Sequence, residues 1–199
     1  MEDKEKAWDK LLQIETAGRD DTNADLHHHP YEPTPYSVLE RLADSGLIGK
    51  DDLLLDYGCG KGRVDFFLSY RCGAQTIGIE YDERIYQNAL ENGVKSKGKP
   101  RFVLTAAERY VLPREVNRCY FFNPFTVQIL RKVMARILDS YYEDPRDIYL
   151  FFYYPADEFV AYLMTVAELD FYDEIPCDDL FAGRDNRERI LIFKLPAEF

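Results

Sequence analysis

What most constrains this chain is an alternation. After roughly the first 50 residues, apolar runs of strand length take turns with segments of helical period: LLLDYG, then GRVDFFLSYR, TIGIEY, then DERIYQNALENG, followed by FVLTAAE, CYFFNPF, a long helix and IYLFFYYP. Apolar runs separated by helices predict a parallel sheet covered on both faces. The long helix is the clearest of these, because Val127, Leu130, Val133, Met134, Ile137, Leu138 and Tyr141 form one stripe while Arg131, Lys132, Arg136 and Asp139 face away. A further helix is expected from about Asp157 to Leu169. The chain then ends in DFYDEIP and RILIFKL, joined by a polar connection rather than a helix, which predicts an antiparallel pair at one sheet edge.

Upstream of the alternation, Ala7, Leu11 and Ile14 with Trp8 predict a short amphipathic helix, and GRDDTNAD reads as a mobile loop. A second helix follows three prolines, with Val38, Leu39, Leu42 and Leu47 on one side, Ser37 near its start and Gly46 near its end. At 199 residues one sizeable core is expected, so the chain reads as a single domain, 1–199, with a helical lead-in over 1–50 and an α/β core over 51–199. There is no internal repeat.

Charge and cysteine placement narrow the partners. The 36 acidic against 25 basic residues give a net charge of -11, which opposes attraction to a phosphate backbone and argues against duplex DNA. The 4 cysteines, Cys59, Cys72, Cys119 and Cys177, lack the close pairing of zinc or dithiol sites, which fits a reducing cytoplasm. No apolar run is long enough for a bilayer, and no secretory leader is read at the N-terminus. His27, His28 and His29 lie near Asp25, but adjacent side chains diverge and no second ligand group accompanies them, so they are read as solvated and no metal is expected.

The chemistry is concentrated in LLLDYGCGKGRV. Here an apolar strand runs into Gly58, Gly60 and Gly62 and then a helix, a setting in which a glycine turn can bring backbone N–H groups against a ligand. A phosphate-cradling loop would need Ser or Thr after Lys61, and dinucleotide folds prefer G-x-G-x-x-G; neither spacing is met, which weakens an oxidoreductase reading. About twenty residues on, Glu80 ends TIGIE, where a carboxylate suits the two hydroxyls of a ribose. Asn123, Pro124 and Phe125 follow CYFF at the carboxyl end of the fourth core strand. An Asn oxygen with a neighbouring carbonyl can orient an amine, and an aromatic face can stack on a flat or cationic group.

The D-x-G-x-G-x-G run from Asp56 to Gly62 resembles the first motif of class I S-adenosylmethionine-dependent methyltransferases, and FNPF resembles the D/N-P-P-Y/F motif of their amino-directed members, with one proline where those have two. The succession YEPTPYSVLERL, DYGCGKGRV, IGIEYD, FFNPF and DPRDIYLFFYYP is similar to a bacterial group of such proteins over nearly the whole chain. The resemblance implies a Rossmann-like α/β fold with a mostly parallel seven-stranded sheet, and S-adenosyl-L-methionine as cofactor. It implies cofactor contacts at Asp56, Gly58, Cys59, Gly60, Gly62, Glu80, Tyr81, Ala107, Glu108 and Asn123, and catalytic positioning by Asn123, Pro124 and Phe125. The family's adenine-binding Asp after the third strand is replaced by Ala106, which nominates Glu108 as substitute. The lead-in of such proteins folds over the cofactor, nominating Tyr31, Thr34 and Tyr36; Tyr153 and Tyr154 close the fifth strand beside the same crevice. The activity implied is methyl transfer to a nitrogen of a protein side chain, a small amine or an RNA base. The alternative is a non-catalytic module that binds the cofactor or assembles with a partner.

Overall fold

A computed structural model describes residues 2–20, 31–96, 98–183 and 185–197. Its centre is a seven-stranded sheet ordered β3-β2-β1-β4-β5-β7-β6, formed by β1 (Leu53–Tyr57), β2 (Gln75–Glu80), β3 (Arg101–Leu104), β4 (Arg118–Phe121), β5 (Ile148–Tyr153), β6 (Asp170–Pro176) and β7 (Arg189–Leu195). The first five strands are mutually parallel. β7 runs antiparallel between β5 and β6, pairing Ile148 with Leu195 and Tyr153 with Ile190. The C-terminal pair is therefore antiparallel as expected, and the order adds that the last strand, not the sixth, lies beside β5.

The central strands are largely apolar because both faces are covered. Side chains alternate along each strand, so Leu55, Phe121, Phe152 and Phe193 enter one core with α5 (Val127–Glu143) and α6 (Asp157–Leu163). Leu54, Tyr120, Phe151 and Ile192 enter the other, with α2 (Tyr36–Asp44) and α3 (Arg63–Cys72). α4 (Glu83–Lys95) packs against β2 and β3. It starts where Asp82 accepts from the N–H groups of Arg84 and Ile85, satisfying donors that a helix start leaves open. The edge strand β6 carries Asp170, Asp173 and Glu174 on a largely exposed surface, charges that discourage pairing with another chain.

Within α5 the expected stripe holds in part: Leu130, Val133, Met134, Ile137 and Tyr141 are buried, Val127 and Leu138 only half so, and Ile129 and Ser140 join them. α6 ends at Leu163, six residues before the sequence reading, in a turn closed by Thr165 N–H donating to the Tyr162 carbonyl. The second helix begins at Tyr36, placing Ser37 inside it, with Pro35 at the cap.

α1 (Glu2–Leu12) and the strap after it pack on the second core. Trp8 meets Phe67 edge-on at 4.8 Å and stacks on Tyr36 at 5.8 Å, while its indole N–H donates to Glu40 at 2.8 Å. Asp20 and Tyr31 exchange backbone hydrogen bonds of 3.0 and 2.9 Å, pinning both ends of the segment between them. That segment, 21–30, contains His27, His28, His29, Asp25 and most of the loop read as mobile, and it lies outside the described residues.

Candidate functional site at the carboxyl ends of the strands

Because β1 is followed across the sheet by β2 on one side and β4 on the other, the chain connections part there and leave a crevice beyond the strand ends. A cleft of about 910 Å³, counted to its open mouth, occupies that place. Its floor is the first part of the bend Asp56–Gly62, at Asp56, Gly58 and Cys59. Gly58 and Gly60 have φ of 80° and 57°, the left-handed region. A Cβ on Gly58 would come within 2.7 Å of Pro124 Cβ, and one on Gly60 would overlap the Tyr31 ring.

The glycines differ from the sequence expectation in one respect. The N–H groups of Gly58 and Cys59 both donate to the Ile79 carbonyl (2.9 and 3.0 Å), that of Gly60 to Glu80 Oε2 (3.0 Å), and that of Gly62 to the Cys59 carbonyl (2.8 Å). The first three donors stitch the bend to β2 and the fourth closes the bend on itself, so the glycines supply close approach of the backbone, not a cradle of amides. Gly62 faces away from the cleft, against Phe66 and Phe102, and caps α3.

Glu80, only 6% exposed, is fixed by three backbone donors: Gly60 to Oε2, and Tyr81 and Asp82 to Oε1, both at 2.9 Å. Burial raises its carboxyl above the ordinary range, and the three N–H groups offset that rise only in part. Asp56 and Asp65 form a second, fully enclosed pair. Burial pushes Asp56 up to about 8, hydrogen bonding to Asp65 opposes that, and Asp65 is raised further by burial and by Asp56. Two carboxyls in one dry place disfavour each other's charge, so both are held toward their neutral forms. Gly78 on β2 leaves room for this pair, since a Cβ there would meet Asp65 Oδ2 at 2.8 Å and Cys59 at 2.7 Å.

The lead-in is held by Arg63, the first residue of α3 and 3% exposed. Its guanidinium donates to Thr16 Oγ1 (2.7 Å), the Thr34 carbonyl (3.1 Å) and Glu5, lies 3.8 Å from Asp9, and stacks over Tyr36 at 4.3 Å. Thr34 bonds the Tyr120 hydroxyl at 3.0 Å, and the Tyr31 hydroxyl donates to the Thr16 carbonyl at 2.6 Å. Tyr31 and Thr34 thereby line the cleft. Tyr36 does not; fully buried, it donates to Asp9 at 2.6 Å and belongs to the core.

Of the other sequence-nominated residues, Asp56, Gly58, Cys59, Glu80, Tyr81, Ala107, Pro124 and Phe125 line the cleft, and Gly60 lies directly under Tyr31. Phe125 is 3% exposed and packs edge-on against Phe121 beneath the cleft wall. Ala106 and Glu108 are outside the cleft wall; Glu108 is the middle residue of a short 3-10 turn (Ala107–Arg109), with Oε2 buried and without a hydrogen-bond partner, while Thr105 and Ala107 take the wall position. Asn123, at φ 45°, faces a neighbouring recess with Tyr153 and Tyr154. Phe122 lines both spaces, and sequence reading missed it because CYFF reads as uniform strand core. Arg63 and Asp65 were missed because charged residues opening a helix read as solvent-facing.

Among the described residues, no group of three or more His, Cys, Asp and Glu side chains is arranged to hold a metal ion, and no helix is long and apolar enough to cross a membrane.

The order of strands, the reversed β7 and the cleft over the first bend define the Rossmann-like class I methyltransferase fold. The RNA methyltransferase of Salinibacter ruber, solved with S-adenosyl-L-homocysteine, superposes with a TM-score of 0.55 at 19% identity, covering 84% of this chain and 96% of that one. A TehB-like S-adenosylmethionine-dependent methyltransferase of Corynebacterium glutamicum superposes at 0.57 with 15% identity, over 98% and 97% of the two chains. In sequence, a protein-lysine N-methyltransferase of Saccharolobus islandicus is 35% identical over 75 residues, 35% of this chain, a match that spans 47% of that enzyme's length. No family model matches the chain.

Proposed function

We propose that this protein is an S-adenosyl-L-methionine-dependent methyltransferase acting on an amine nitrogen. The observation that carries this reading is the carboxylate of Glu80, locked by the Gly60, Tyr81 and Asp82 N–H groups at the edge of a glycine-floored cleft. Tyr81 and Asp82 take both lone-pair sites of Oε1 and Gly60 takes one of Oε2, so Oε2 keeps a site that can accept from a ribose hydroxyl. The cleft walls carry Asp20, Glu32, Glu80 and Asp82 against Arg63; Arg84 pairs with Asp20 and Asp82, Arg19 with Glu32, and Arg63 with Glu5 and Asp9, which leaves Glu80 as the wall carboxylate held by backbone donors alone. Gly58 and Cys59 would border the cofactor's methionine part, and Tyr81, Thr105 and Ala107 its base.

The cofactor supplies an electrophilic methyl group on a sulfonium. What the chain must add is alignment of the nucleophile and exclusion of water. Asn123 and the neighbouring Pro124, at the end of β4, would orient the amine. Tyr31 and Thr34, anchored through Arg63, would close the cleft from above. Protein lysine, small amines and RNA bases all fit this chemistry, given what the relatives in sequence and structure act on.

Titration calorimetry with S-adenosylhomocysteine tests the reading: binding is expected, and Glu80→Ala should abolish most of it. Absence of binding by the unaltered protein would overturn it. A second reading, a cofactor-binding module without transfer, draws on Ala106 standing where an adenine-binding acid is usual and on the single proline of FNPF; binding without transfer of labelled methyl to any cell fraction would favour it.

A further inference from the structure

Beside the cofactor cleft, and sharing Glu32 and Phe122 with it, is a recess of about 1070 Å³ counted to its open mouth. It is lined by Asn123, Tyr153, Tyr154, Phe181 and Glu188, with Arg19 and Pro35 at the lead-in side. Phe122 and Tyr153 sit 4.7 Å apart at a 46° tilt, and Tyr153 and Tyr154 6.2 Å apart at 57°, so three rings form a corner. Tyr153 donates to Glu188 Oε2 at 2.7 Å, which aims the carboxylate. The walls already hold a cation by aromatic contact, since Arg187 stacks over Tyr154 at 4.4 Å while pairing with Asp185. Glu32 is shared with Arg19 at 4.0 Å, a pair 59% exposed on both sides and so weakly coupled.

Resting on the methyltransferase reading above, we propose that this recess is the acceptor channel and that it admits the side chain of a protein lysine. Aromatic faces attract an alkylammonium and sheathe its four-carbon stem. Glu188 draws the charge in, Phe122 stands where the recess meets the cleft, and Asn123 lines the recess beside it. An RNA acceptor would have to bring phosphates to a chain of net charge -11 and into a recess with two carboxylates, against the field. In the transfer, the ammonium loses one proton to water at the open mouth and its nitrogen lone pair forms the N–C bond. The C–S bond breaks with its electrons remaining on sulfur, and the product leaves as a methylammonium with neutral S-adenosylhomocysteine.

The test uses the whole protein saturated with S-adenosylhomocysteine and titrated with n-butylammonium, with n-butanol as the neutral control. Alongside it, methyl transfer from labelled S-adenosylmethionine to poly-L-lysine is compared with transfer to total RNA. Butylammonium should bind and butanol should not. Glu188→Gln should weaken butylammonium binding and raise KM for poly-L-lysine about tenfold, as expected for a partly desolvated charge contact, without altering S-adenosylhomocysteine affinity. Tyr153→Phe, which keeps the ring and removes the hydroxyl aiming Glu188, should show a smaller shift in the same direction. Equal binding by Glu188→Gln, no butylammonium binding to the loaded protein, or label found in RNA and not in poly-L-lysine would each overturn the proposal. Failure of S-adenosylhomocysteine itself to bind would instead sink the methyltransferase reading.

Discussion

The two halves of the site are built differently. On the cofactor side, Gly58, Gly60 and Glu80 are tied by backbone bonds between β1 and β2, with positive φ only at glycine. On the recess side, positive φ falls on Asn123 and Tyr154, directly after β4 and β5, and the charged groups are held by side chains: Tyr153 to Glu188 and Tyr154 to Asp185. Non-glycine residues in that region cost energy that the surrounding fold has to offset. On the proposed reading, the side held through backbone bonds would recognise an invariant ligand, whereas the side held through side chains could be retuned to a different acceptor without disturbing the sheet.

The largest break in that contrast should come from Glu80→Ala. It leaves the Gly60, Tyr81 and Asp82 N–H groups without their acceptor, each worth about 1–3 kcal/mol when buried. Denaturant unfolding should show a loss of several kcal/mol, and S-adenosylhomocysteine affinity should fall on the order of 100-fold. Asn123→Ala, on the other side, should leave that affinity within about threefold, less than the tenfold that 1.4 kcal/mol represents. Comparable losses from both substitutions would erase the distinction.

Next in size is Gly60→Ala. A Cβ at φ 57° costs about 1–2 kcal/mol by itself, and here it also collides with the Tyr31 ring. The double substitution Gly60→Ala with Tyr31→Ala should recover the collision but not the backbone strain, so its unfolding midpoint should lie between those of the unaltered and singly altered proteins. No recovery would mean that Tyr31 does not rest on the bend in solution.

How far the site was legible in the sequence follows the same division. The bend, Glu80 and the position of Asn123 after β4 were readable because strand ends and glycine spacing are local patterns. The inward direction of the bend's donors was not, since Ile79, their acceptor, lies on another strand and only sheet pairing brings it close. Arg63 was hidden for the same reason: its partners Glu5, Asp9, Thr16 and Thr34 come from a segment 29 to 58 residues away. The recess depends on β7 lying beside β5, which carries Glu188 to Tyr153, and antiparallel strand order is not encoded in the pattern of either strand.

The Asp56–Asp65 pair sharpens the contrast through pH. The folded Asp56 carboxyl titrates near 8 and Asp65 is also raised, whereas an unfolded carboxyl titrates near 3.8. Between those values the folded protein holds protons that the unfolded chain has released, so stability is full below about pH 4 on this account and declines as pH rises through about 8. Each such proton contributes a slope of about 1.4 kcal/mol per pH unit. Asp65→Asn gives Asp56 an amide donor, lowers its raised value and should flatten the decline in Tm between pH 6 and 9. An unchanged slope would show that the two carboxyls do not disfavour each other's charge.

The smallest change in stability is expected at Asn123→Gly, and it separates strain from function. Asn tolerates φ 45° better than most residues, so relieving it with glycine should change stability by no more than about 1 kcal/mol in either direction, the gain in conformational ease being offset by greater freedom of the unfolded chain. If Asn123 orients the amine, methyl transfer should nevertheless fall by roughly 100-fold or more in kcat with S-adenosylhomocysteine binding intact, because the lost group acts on the nucleophile and not on the cofactor. Transfer at the unaltered rate would make the left-handed residue a turn and nothing more, and would move the alignment of the acceptor to Phe122 and the aromatic corner behind it.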